Sequence, residues 1–98
     1  MTQSVELPPG VVKYAESPVF SSATVPEKLT SKHNLKSDVW GRPCVDAGSV
    51  EYHALAPSSW TVTASAGESI VIEPLQEHFV RPSDDAIFQV EFYRRFHT

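Results

Sequence analysis

The sequence predicts an all-β fold, a single domain built as a barrel or sandwich of roughly eight or nine short strands. Three observations predict it. Eight prolines are spread over 98 residues, and no segment sustains apolar residues at i, i+3, i+4 and i+7, so amphipathic helices lack their signature. Short β-rich runs recur between clusters of Pro, Gly, Ser and Asp. The turn signals return at roughly ten-residue spacing, the rhythm of a small antiparallel domain.

The elements follow in order. Residues 1–10 read as an exposed arm, because Pro8, Pro9 and Gly10 break regular structure. Val11 to Tyr14 is the first strand. Ser17 to Phe20 is extended, since a residue before proline avoids the α region. "SSATVPEKL" is a loop with Pro26 at its exit. Lys28 to Asn34 is the next strand, with Leu29, Ser31 and His33 on one face. Val39 to Val45 follows, interrupted by Gly41 and Pro43 as an edge strand or a bulge would be. Asp46-Ala47-Gly48 is a hairpin turn. Val50 to Leu55 alternates Val50, Tyr52 and Ala54 against Glu51, His53 and Leu55, the period of a half-buried strand. Trp60 to Thr63, Ser69 to Glu73 and His78 to Arg81 are three short strands, the last two separated by a turn at Pro74 to Glu77. Ala86 to Phe96 is the longest strand and is rich in aromatic residues. There are no internal repeats and no low-complexity tracts.

Bulk properties exclude several classes. Hydrophobic residues make up 41% and charged residues 20% of the chain, as in an ordinary globular domain. The net charge of -4 with eight scattered Lys and Arg argues against a nucleic-acid partner, which needs a basic surface. No apolar stretch approaches the ~20 residues of a membrane span. "MTQSVELPPG" has neither the basic nor the apolar region of a signal peptide. Cys44 is the single cysteine, compatible with a reducing compartment. The expected location is the cytoplasm, with no membrane partner.

Two spacings narrow the fold. His33 lies fifteen residues before Gly48, and Gly67, Pro74 and His78 punctuate "GESIVIEPLQEH". Gly67 permits a tight turn, "IVI" crosses a wall, Pro74 stops the strand, and the returning chain carries His78 inward. This order resembles the two short motifs of the cupins, in which two hairpins each deliver histidine to a barrel interior. The blocks "LPPGVVKYAESPVF", "TVPEKLTSKHNLKSDVWGR", "IEPLQEHFV" and "FQVEFYRRF" resemble more closely a family of short bacterial proteins related to the N-terminal region of tellurite-resistance B proteins. The resemblance covers nearly the whole chain. It implies a cupin-type β-barrel (a double-stranded β-helix or jelly roll) over residues 11–98 and a pocket, and it names no reaction. One departure matters: the second histidine of the first cupin motif is Leu35 here, and its glutamate falls near Trp40. Two of the four usual ligands are absent.

The candidate site residues follow from this pattern, each against a plainer role. His78 matches the second motif and His33 the first; otherwise each is a surface imidazole. Glu91 lies among aromatic residues in the last strand, where a carboxylate is costly unless paired or bound to a cation. Gln89, Glu91 and Tyr93 share one face of that strand and Phe88, Val90 and Phe92 the other. The resemblance implies the inward face for the former, since the family carries an amide and an acid there. His33, His78 and Glu91 are thus the expected metal ligands, with His53 as runner-up to Glu91. Two imidazoles and a carboxylate with open positions suit divalent zinc, iron, nickel or manganese. Arg42, Gln89 and Tyr93 are the expected contacts to a small, anionic ligand; Arg42 is otherwise a solvated strand residue. Cys44 reads as a small buried hydrophobe, and His97 as a terminal residue of no weight.

The expected function is binding of a divalent metal and a small ligand, tied through the resemblance to tellurite, oxidative or nitrosative stress. The alternatives are a ligand-sensing module without metal and a dimerisation module, "FQVEFYRRF" offering aromatic residues for a homodimer interface. No serine-histidine pair or phosphate loop points to a catalytic residue, and whether the chain is an enzyme is left open.

Overall fold

The computed structural model describes residues 6–96. The first five residues of the expected arm, and His97, lie outside the described residues. The elements are β1 (Val11–Glu16), β2 (Phe20–Ser21), α1 (Glu27–Thr30), β3 (Val39–Ala47), β4 (Ser49–Ala56), β5 (Trp60–Ser65), β6 (Glu77–Pro82) and β7 (Ile87–Arg95). The fold is therefore all-β apart from one helical turn. No described helix is long and apolar enough to cross a membrane.

The strands form two antiparallel sheets. In the first, β7 is the hub. β3 runs along it from Val39↔Arg94 to Ala47↔Ile87, so β1 and β2 follow one another along its opposite edge. The second sheet has the order β5-β4-β6. Alternation decides what each strand buries. Val50, Tyr52 and Ala54 of β4 are buried, and they pack with Val80 of β6 and with Val45, Phe88 and Val90 of the facing sheet. Tyr52 and Phe88 are the largest fully buried apolar side chains.

Four expectations are corrected. The barrel does not close: no strand pairing among the described residues joins the two sheets into one cylinder. Lys28 to Asn34 is not a strand. Pro26 precedes a single helical turn at Glu27–Thr30, where its fixed φ suits a helix start, and only His33 rejoins a sheet as an isolated bridge. Asp46-Ala47-Gly48 is not a hairpin. β3 and β4 on either side of it belong to different sheets, so it is the corner at which the chain changes layer. Ser69 to Glu73 is not a regular strand: it meets the free edge of β3 only at Ser69↔Cys44 and Ile72↔Gly41. Backbone bonds from Ile70 N to Pro43 O and from Ile72 N to Gly41 O still hold it there.

β1 stands apart from this core. Five of its six residues are exposed, Val12 and Tyr14 among them. The guanidinium of Arg94 lies 4.7 Å from the Tyr14 ring centre, a cation–π contact on the exposed side of this edge strand.

Candidate functional site

The site begins with a backbone exchange. His33 N–H donates to the carbonyl of His78 at 2.9 Å, and His78 N–H donates to the carbonyl of His33 at 2.8 Å. Two residues that exchange both bonds in an antiparallel pair carry their side chains on the same face. The two imidazoles accordingly meet, ring centres 4.1 Å apart and planes inclined by 59°. Local sequence could not supply this contact; the Pro74 corner does. Pro74 and Leu75 form the turn, Leu75 takes a left-handed φ of 63°, and its N–H donates to the Leu35 carbonyl at 3.1 Å. That bond ties the corner to the segment just after His33.

The same device orients both rings. His78 Nδ1 lies 2.7 Å from the carbonyl of Gln76, and His33 Nδ1 lies 2.9 Å from the carbonyl of Ser31. A carbonyl only accepts, so each Nδ1 carries the proton and donates it. In the neutral ring the lone pair is then on Nε2. His78 is 1% exposed, and burial drives its pKa down to about 4, with the neighbouring His33 adding to the effect and the Gln76 carbonyl opposing it. At neutral pH it is uncharged. Buried Gln76 fixes the entry to β6: its amide nitrogen donates to the carbonyls of Ala56 at 2.7 Å and Glu77 at 2.9 Å. Gln76 was not singled out in the sequence, although it shares the buried period of His78 and Val80.

His78 also lines a cavity of about 290 Å3 between the sheets. Its walls are Phe20, Leu29, Leu35, Phe88, Val90 and Phe92, among other apolar groups. On the far side of His78 the Tyr52 ring stands 5.3 Å from it. The Tyr52 hydroxyl is buried with no hydrogen-bond partner, and burial pushes the phenol well above its usual pKa.

The expected residues divide into two groups. His33 and His78 come together. Glu91 does not join them: Phe88, Val90 and Phe92 face the cavity, so alternation turns Gln89, Glu91 and Tyr93 to the opposite face of β7. There Glu91 accepts from Tyr93 Oη at 2.9 Å and from Lys13 Nζ at 3.2 Å, and lies 3.4 Å from Arg42 Nη1. Burial alone would raise the Glu91 pKa; the bonds from Tyr93 and Lys13 outweigh it and hold the carboxyl below its usual range. The cation that satisfies this carboxylate is thus the protein's own. Arg42 also donates to Ser69 Oγ at 3.1 Å, and the Gln89 amide donates to the Ser17 carbonyl at 2.7 Å. Among the described residues no group of three His, Cys, Asp or Glu could hold a metal ion.

His53, the runner-up, lies on the outer face of β4. It contacts Glu51 Oε1 at 2.9 Å and stacks on Phe79 with ring centres 4.5 Å apart. Cys44 is half-buried, and burial raises its thiol pKa with Glu91 adding to the effect, the reverse of an activated thiolate.

The chain matches the family model described as TehB-like domain over residues 15–90. It matches no curated protein. Among solved structures, a protein of E. coli strain K12 superposes with a TM-score of 0.86 at 20% identity, covering 96% of this chain and 100% of the other. TehB from Haemophilus influenzae superposes with a TM-score of 0.81 at 25% identity, covering 89% of this chain. The likeness takes in 32% of that TehB, so the chain spans about a third of its length.

Proposed function

This chain belongs to the TehB-like domain family, and from that premise we propose that it binds a divalent transition metal on His33 and His78 and a small molecule in the adjoining cavity. One observation carries the reading: both rings donate Nδ1–H to a backbone carbonyl two residues earlier. Metal-bound histidines have this outer partner, which fixes the tautomer and makes the other nitrogen a better ligand. The burial that keeps His78 neutral favours the same form. Two imidazoles would hold zinc, iron, nickel or manganese with the remaining positions filled from outside the protein, and Glu91 has no part in the site. Bound there, such a metal supplies a Lewis acid beside the cavity. The protein's own residues hold the rings, and Phe88, Val90 and Phe92 exclude water from the adjoining cavity.

The experiment is metal analysis of protein dialysed against zinc or manganese. Native protein retains one equivalent, and the double variant His33→Ala/His78→Ala retains none; Glu91→Gln retains the full amount. Equal metal content in the native protein and the double variant overturns the ligand assignment.

The two facing sheets and the paired histidines support a cupin-type double-stranded β-helix as the parent architecture. The tie to tellurite or to oxidative and nitrosative stress rests on the family alone, and a cytoplasmic location on the lone Cys44. A homodimer is favoured by the exposure of the edge strand β1, where Val12 and Tyr14 remain accessible. Sedimentation at micromolar concentration should give a dimer, which Tyr14→Lys disrupts; a monomeric native protein removes this reading.

A further inference from the structure

We infer that the cavity takes a small monocarboxylate with an apolar body, the body against Phe20, Phe88 and Phe92 and the carboxylate at Lys28. The inference rests on the reading of this cavity as the ligand site. Its size comes first. About 290 Å3 is the room of about ten water molecules and the low end of the ligand-pocket range, so the occupant is small. Its walls come second. Apolar side chains dominate the lining, and an inorganic oxyanion brought in from water would find almost nothing to replace its hydration. An apolar body loses nothing by the same move and gains from leaving water. The Phe20 and Phe88 rings, 5.7 Å apart and tilted by 60°, form a wall that suits a flat or branched hydrocarbon.

The polar groups then select the head. The lining residues contribute three polar side chains, Ser17, Lys28 and His78. The Ser17 hydroxyl is committed, donating to the Pro18 carbonyl at 2.8 Å and accepting from Val90 N–H at 2.9 Å. His78 is buried and its Nδ1–H is engaged by the Gln76 carbonyl at 2.7 Å. Lys28 is the one charge on the lining, which contains no acidic residue, and among the described residues it has no ion-pair partner. It sits exposed on α1, next to Leu29, whose side chain is part of the wall. A single ammonium at the rim of an apolar cavity complements one negative charge on an apolar molecule. A phosphate ester would need more donors than this rim has.

Calorimetry with acetate, butyrate and hexanoate tests the body. Each added methylene is expected to tighten binding about fourfold, while tellurite and nitrite give no measurable heat. Hexanol against hexanoate tests the head: the acid binds about fivefold more tightly, the worth of a rim ion pair. Lys28→Met abolishes that preference and leaves hexanol binding unchanged; Lys28 is exposed, so the variant folds. Methyl NMR shifts on hexanoate addition must fall on Leu29, Leu35 and Val80. A flat acetate-to-hexanoate series, shifts elsewhere, or an acid preference that survives Lys28→Met overturns the inference. Running each titration on metal-free and metal-loaded protein separates it from the metal reading. Carboxylate binding by protein that takes up no metal defeats only the metal centre. Metal uptake without carboxylate binding defeats only this inference.

Discussion

In metal-free buffer, acidification from pH 6.5 to pH 4 is expected to remove up to about 3 kcal/mol of folding stability through His78 alone. The folded ring gains its proton only at about 4, against an ordinary value of 6.5. Between these two values the unfolded chain binds the proton and the folded chain does not. Stability therefore rises with pH across this window, is complete above 6.5, and is lost as the pH falls towards 4. Burial is the main cause: a charged imidazole among Val80, Phe88 and Tyr52 has little to solvate it. The His33 ring at 4.1 Å adds to the effect, while the hydrogen bond to the Gln76 carbonyl opposes it. Urea unfolding with EDTA at pH 7 and pH 4.5 measures the effect, native protein beside His78→Gln. Carboxylates titrate in both proteins and cancel in the comparison. Parallel losses of stability in the two would show that His78 is not the acid-sensitive group.

Much of this site was legible in the sequence. The proline corner before His78 and the alternation of Val50, Tyr52 and Ala54 need only period-two reasoning, and the structure buries those residues. The pairing of His33 with His78 is expected only through the resemblance of their spacing to the two cupin motifs. Illegible features share one cause, dependence on partners distant along the chain. The face of β7 that meets the cavity is decided by which sheet lies opposite, and nothing in "FQVEFY" states it. Once Phe88, Val90 and Phe92 turn inward, Glu91 must turn outward and find Arg42 and Lys13. The helical turn at Glu27–Thr30 is too short for a 3.6-residue period to show, and Leu29, Ser31 and His33 alternate by chance as a strand would. Nothing in the sequence marks Lys28, because a single lysine carries no signal until the apolar walls beside it are known.

Gly48→Ala is expected to cost roughly 3 kcal/mol or more, about twice the cost of Gly67→Ala. Both glycines have left-handed backbones, φ of +64° and +87°, so any side chain at either pays the ~1–2 kcal/mol of that conformation. Their surroundings differ. A Cβ at Gly67 meets nothing within 4 Å, whereas at Gly48 it would lie 2.6 Å from Asp85 Oδ1, 2.7 Å from Ser83 Oγ and 2.8 Å from Ala86 Cα. None of the three moves freely. Ser83 Oγ accepts from Ser49 N–H at 3.0 Å and donates to Asp85 Oδ1 at 2.7 Å, and the Ala86 backbone is held by its N–H bond to the Ser83 carbonyl at 3.0 Å. Relieving the clash breaks these bonds, each worth about 1 kcal/mol, or displaces buried Ala86 immediately before β7. The consequence reaches the site, because this corner sends the chain from β3 into β4 and so sets where Tyr52 stands beneath His78. Urea unfolding of the two variants at pH 7 isolates the packing contribution as the difference between them. Equal losses would mean that the corner demands glycine for its backbone alone, and that the close approach of the Ser83–Ala86 turn carries no weight in holding the two sheets together.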